Sequence, residues 1–235
     1  MSVIEHLPAL RMDRSRQAAP QVFDALRELI VSLDLPPGTV LPRADLGAHY
    51  GVSLTPVRDA LLRLGEEGLV DIFPQHATVV SRIDIPSALR AHFMRRALEG
   101  EIVRDLAAGV HGSTQAMAAR LREHITRQSR ALASQDFGEF TLADRAFHQT
   151  LYDAAGMGDL WLLVRQRSGH IDRLRRLHLP SRGKAQAVVR DHKAIVDAIE
   201  AGEPDAAQDS LRKHLAGTMA FVDEVRRSHP EQVSG

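Results

Sequence analysis

The sequence predicts a mainly α protein in two parts, an N-terminal winged helix-turn-helix followed by an all-α antiparallel helical bundle. Three observations carry this. Short amphipathic runs broken by turn residues, then two β-type segments, fill roughly the first 80 residues. From Asp84 onward apolar residues recur at helical spacing, with Gly, Pro, Ser or Asp between the runs. The composition is 44% hydrophobic but only 4% aromatic, and its Ala and Leu content suits packed helices.

In "QVFDALRELIVSL" the residues Val22, Ala25, Leu26, Leu29, Ile30 and Leu33 form one stripe of an amphipathic helix. "DLPPGTVLP" ends it with two prolines and a glycine. "RADLGAHYG" reads as a short helix closed by Gly51. "VSLTPVRDALLRLGEEGLV" opens a third, with Thr55 as expected N-cap, Pro56 in the first turn, and Asp59 and Arg63 paired at i, i+4. "LVDIFPQHATVVSRI" reads as two short strands turning at Pro74 and Gln75. Six helices are expected after that, over about 86–109, 114–134, 137–154, 158–178, 184–201 and 204–228. The expected boundary divides residues 1–82, a DNA-binding domain with an N-terminal arm, from residues 83–235, an effector-binding and dimerisation domain.

With no cysteine, disulfides, zinc ribbons and thiol catalysis are excluded. No run approaches the roughly 20 apolar residues that span a bilayer, and "MSVIEHLPALRMDRSR" has no signal-type apolar core, so a cytoplasmic protein is expected. Net charge is zero. Residues 1–80 hold 7 Arg and no Lys against 10 acidic residues, so DNA contact there must rest on locally placed arginines rather than a general positive field.

Three short helices, a Gly-containing turn and a hairpin place the third helix in a major groove, with its first turn at base edges. Arg58 suits guanine or a phosphate, and Ser53 and Thr55 suit phosphate oxygens. Gln75 and His76 at the hairpin tip suit the minor groove or the backbone. "LPPGTVLPRADLGAHYGVSLTPVRDALLRLGEEGLVDI" resembles the winged helix of the GntR family of bacterial transcription regulators. The resemblance implies DNA contact through Thr55 and Arg58. It also exposes departures: Leu54 stands where the family usually has an arginine, Gln75 where its wing has a glycine, and Arg43 where it often has an acidic residue. Leu54 cannot donate a hydrogen bond, which favours a thymine methyl, and Arg43 is expected to supply an offsetting backbone contact.

In "DRAFHQTLY", Asp144 and His148 lie one turn apart on the face that carries Phe140, Phe147 and Leu151. His192 shares a face with Val188, Val189, Ile195, Val196 and Ile199, and His214 sits with Leu211, Leu215, Thr218 and Phe221. Each imidazole alone reads as a hydrogen-bonded core histidine. Four polar groups on the apolar faces of one bundle suit a divalent cation such as Zn, Ni or Mn, which would offset their desolvation. "RRALEGEIV", "ADRAFHQTLYDAAG" and "DHKAIVDAIEAGEPDAAQDSLRKHL" are similar to the FCD type, the all-helical effector domain named for the fatty-acid regulator. That resemblance implies a metal on Asp144, His148, His192 and His214, and Arg95 lining an effector cavity. Arg173 in "HIDRLRRL" is a further pocket candidate, although "RLRR" reads equally as a solvated helix face.

The expected protein is therefore a ligand-responsive regulator, a homodimer on a pseudo-palindromic double-stranded DNA operator, sensing a small carboxylate at a metal-containing pocket. One rival is a sensor whose signal is the ion itself. A remoter one is a metal-dependent hydrolase, for which the sequence offers no clear general base beside the metal ligands. No enzyme is expected.

Overall fold

The computed structural model describes residues 4, 7–8, 12–112 and 114–235. Most of the expected N-terminal arm, and Ser113 in the turn "GVHGST", lie outside the described residues. The chain forms two compact units, Met1–Ile85 with Ser228–Gly235, and Pro86–Arg227.

In the first unit α1 (Ala18–Val31) packs on α3 (Leu54–Glu66), burying Val22, Leu26 and Ile30 with Val57, Leu61 and Leu64. Such a three-helix core buries apolar stripes that a single short helix leaves wet. Arg27 joins α1 to the end of α3 through a 2.7 Å ion pair with Glu67. Between them α2 (Arg43–Tyr50) ends at Gly51, whose φ of 64° favours a residue without a side chain. Strands β1 (Val70–Phe73) and β2 (Ala77–Val80) pair antiparallel, with Val70 opposite Val80 and Phe73 opposite Ala77. The segment after α1 extends this ribbon: Leu41 N–H donates to Thr78 O, and Val80 N–H to Thr39 O.

Two local expectations change here. Helix α3 begins at Leu54 with Ser53 as N-cap, so Thr55 lies inside the first turn and caps nothing. Arg63 does not pair with Asp59; its guanidinium lies 4.0 Å above the Phe23 ring, which holds α1 to α3.

The second unit is helical: α4 (Ile85–Ala107), α5 (Gln115–Ala133), α6 (Phe137–Ala154), α7 (Gly158–Arg167), α8 (Gly169–His178), α9 (Lys184–Glu200), α10 (Pro204–Met219) and α11 (Val222–Ser228). Helix α5 packs on α6 and α9, and α9 packs on α10. Phe140, Phe147, Leu151, Val188, Ile195 and Leu211 belong to their shared core. Two of the six expected helices are broken. The fourth divides at Ser168, whose hydroxyl bonds the Val164 carbonyl at 2.7 Å and competes with the helical ladder just before Gly169. The last divides at Ala220 and Phe221.

The chain's last residues return to the first unit. Strand β3 (Ile83–Asp84) pairs in parallel with β4 (Val233–Ser234), Ile83 N–H donates to Gln232 O at 2.8 Å, and the Arg82 guanidinium bonds the Pro230 carbonyl. Residues 228–235 thus belong to the first compact unit.

Candidate metal centre and nucleic-acid surface

Asp136 caps α6, its carboxylate accepting from the Glu139 N–H, and the stripe of Phe140, Phe147 and Leu151 turns one face inward. Asp144 and His148 come from that face, His192 from α9 and His214 from α10, and all four are buried. One ligand atom from each lies within 4.8 Å of those of the other three. The Nε2 atoms converge, His192 to His214 at 3.3 Å and His214 to His148 at 3.4 Å, while His192 Nε2 is 3.7 Å from Asp144 Oδ1. Two ligand atoms held at ~2.0–2.2 Å from one ion lie roughly 2.8–3.6 Å apart, according to the coordination angle. The donor set therefore fits a divalent cation.

The far side of each ligand is engaged. Gln128, fully buried on α5, aims its amide nitrogen at Asp144 Oδ1 (3.4 Å), so its oxygen faces His192 Nδ1 (2.8 Å). His192 must carry its proton there, which leaves a lone pair on Nε2. Glu99 Oε2 lies 2.8 Å from His148 Nδ1, an ion-pair distance without hydrogen-bond alignment, and its charge favours a proton on that nitrogen. Asp191 stands more loosely, 3.9 Å from His214 Nδ1. Arg175 Nη2 donates to Asp144 Oδ2 at 2.5 Å, leaving Oδ1 towards the imidazoles. Phe147 stacks on the His192 ring, with centroids 3.9 Å apart and planes within 6°, and fixes its plane.

The electrostatics follow from the packing. Burial pushes His192 down to about 3, only partly offset by Asp144, and holds His214 well below its ordinary value. Both are neutral near pH 7, the form that binds metal. Burial would raise Asp144, but chiefly the Arg175 guanidinium holds it well below the usual carboxylate range. Glu99, likewise raised by burial, is brought down to about 2 by Arg95 and His148.

A cavity with two lobes borders the cluster, and both share Thr141, Asp144, Asp172 and Arg175. Arg95 lines one lobe, but Glu99 holds it, with Nε to Oε1 at 2.7 Å and Nη2 to Oε2 at 3.3 Å. Arg173 is not brought to either lobe. It is 0% exposed, with Nη2 3.0 Å from His170 Nδ1, so it is neither a lining residue nor part of a solvated face. Arg175 and Arg176, further round the same helix, take the wall instead. Sequence reasoning missed Gln128, Arg175 and Asp191. Glu99 had a signal, since it stands one turn after Arg95.

On the first unit Ser53, Thr55 and Arg58 are exposed around the start of α3, and Leu54 is 57% exposed beside them. Among the described residues Arg58 has no ion-pair partner. Arg43, Gln75 and His76 line one groove between the start of α2 and the tip of the hairpin. Gln75 has a φ of 62°, the left-handed conformation that a glycine adopts without cost.

Residues 18–80 match the model of the bacterial regulatory proteins of the gntR family, and residues 91–217 match the FCD domain. The chain belongs to the GntR family of transcription regulators, FCD type. All six candidate DNA residues fall in the GntR segment, and all four clustered ligands in the FCD segment. An HTH-type transcriptional regulator in an unstable DNA locus of Streptomyces ambofaciens is 36% identical over 210 residues, covering 89% of this chain and 87% of the relative. The HTH-type transcriptional repressor RspR of Escherichia coli K12 is 26% identical, covering 91% and 92%. Among solved structures, E. coli McbR/YncC shares the fold, with a TM-score of 0.75 at 20% identity, over 89% of this chain and 98% of that one. Among the described residues no helix of this GntR protein is long and apolar enough to cross a membrane.

Proposed function

We propose that this GntR-family chain is a ligand-responsive DNA-binding regulator whose bundle holds a divalent metal on Asp144, His148, His192 and His214 and senses a small carboxylate beside it. One observation carries the metal assignment. Three imidazole nitrogens and a carboxylate oxygen converge on one buried position, and the amide oxygen facing His192 Nδ1 turns that ring's Nε2 lone pair inward, the donor arrangement a cation needs. When bound, the ion supplies a Lewis-acidic position for a carboxylate oxygen, since five- and six-coordinate ions accept ligands beyond these four. Arg175, on the shared wall of the cavity, would orient that carboxylate; Arg95 would act by holding Glu99 against His148.

On DNA, Arg58 and Thr55 would enter the major groove, with Ser53, Arg43, Gln75 and His76 on flanking phosphates or the minor groove. A homodimer gives two such surfaces and a pseudo-palindromic operator, in the cytoplasm where the DNA is. Leu89 and Phe93, exposed one turn apart on α4, suit an isologous contact. RspR is named a repressor, which favours repression here as well.

The test is elemental analysis of protein purified without added metal, joined to operator binding with and without carboxylates. One equivalent of a transition metal, and operator affinity that moves with a carboxylate, are expected. Metal-free protein that refuses Zn, Ni and Mn would sink the assignment. Chelation alone switching operator affinity, with no response to any acid, would instead establish the ion as the signal.

A further inference from the structure

One lobe of the cavity carries two cations, Lys184 and Arg176, that have no ion-pair partner among the described residues. Lys184 opens α9; its Nζ donates to the Gly217 carbonyl at 2.8 Å and lies 5.4 Å from the centre of the Phe221 ring. It is half-buried, and among the described residues no carboxylate comes within ion-pairing distance of it. Burial, and then Arg175, lower its pKa, against the smaller opposing pull of Asp191 and Asp144. Arg176, on the same wall, has no hydrogen-bond or ion-pair partner among the described residues. His178 is buried against the same Phe221 ring, and neither of its ring nitrogens has a hydrogen-bond partner among the described residues.

The other lobe is different. Its Arg95 is answered by Glu99 and its Arg165 by Asp172, and the shared Arg175 by Asp144. A half-buried ammonium and an unpaired guanidinium on the wall of one lobe cost free energy that an anionic partner would return.

We propose that this end of the cavity is a second anion subsite, and that the effector is a small acid with two anionic groups. One carboxylate sits beside Asp144 and Arg175; the other group, a second carboxylate or a phosphate, sits on Lys184 and Arg176. This rests on the reading of the cavity as a carboxylate sensor.

The test is calorimetric titration of full-length, metal-loaded protein with butyrate, succinate, glutarate and 3-phosphoglycerate. At least one dianion binds tenfold or more tighter than butyrate. Lys184→Gln and Arg176→Gln each reduce that preference while butyrate affinity and metal content stay unchanged, and Lys184→Arg retains it. A tighter 3-phosphoglycerate assigns the distal group as phosphate; a tighter dicarboxylate assigns it as carboxylate. Butyrate binding as tightly as every dianion overturns the subsite alone. Equal weakening of butyrate and dianion in Lys184→Gln also overturns it, because the lysine is then structural. If none of the four acids binds, the carboxylate reading and the subsite fall together.

Discussion

The six polar residues assigned to DNA and the four assigned to metal differ in what surrounds them. Ser53, Thr55, Arg58, Arg43, Gln75 and His76 are exposed, and Arg58 has no ion pair among the described residues. Asp144, His148, His192 and His214 are buried, and each meets a second polar residue on its far side. The difference teaches how each target is recognised. A polyanion that arrives with its own hydration and counterions is met by groups free to adjust. A single ion is met by ligands whose direction is fixed before it arrives. Substitutions of the four ligands and their outer partners should therefore change stability and metal content together, while those of the exposed side chains at the start of α3 should change DNA affinity alone.

The largest effect should come from Glu99→Ala, which leaves Arg95 buried without its carboxylate and frees the His148 ring. Breaking such a buried pair costs about 3–5 kcal/mol, read by denaturant unfolding; a loss near zero would mean that the pair is solvated. His148→Ala should remove metal retention, and with it the ligand-linked stabilisation, about 4 kcal/mol at a thousandfold excess of metal over its Kd. Full metal content in that variant, by elemental analysis, would remove His148 from the ligand set. Gln128→Leu keeps volume but releases His192, and metal affinity should fall about 10–100-fold in a chelator competition. Unchanged affinity would make Gln128 a packing residue only.

On the winged helix, Arg58→Ala should weaken operator binding by about 1–3 kcal/mol if it reads a base, with the melting temperature unmoved. A melting shift comparable to that of a core substitution would break the contrast between the units. Smallest is Gln75→Gly, which relieves the left-handed conformation at the hairpin tip. It should stabilise the fold by ~0.5–1 kcal/mol in thermal unfolding; a destabilised variant would mean that the Gln75 side chain is held at the tip.

The helical stripes made the four ligands legible, because burial of Asp144, His148, His192 and His214 follows from spacing within each helix. Their outer partners were not legible. Gln128 and His192 are 64 residues apart, and only packing of α5 on α9 brings them together. The pocket arginine was misplaced for a related reason: residues 173 and 175 lie about 200° apart on a helix, and the sequence near them does not say which face α8 turns inward. The break at Ser168 turns on one hydroxyl bonding back to Val164, and periodicity does not register so local a competition. Strands β3 and β4 have two residues each and pair across about 150 positions, too short to carry an alternating pattern.

That last pairing bears on the order in which the protein is made. Ile83 is fully buried, and its N–H is bonded to Gln232. Residues 86–227 must leave the ribosome before that partner exists, which takes about 7–28 s at ~5–20 residues per second. During that interval the winged helix has its three-helix core and its hairpin but not its parallel strand. A nascent chain can thus fold its DNA reader early and complete it only after the whole effector bundle has been synthesised.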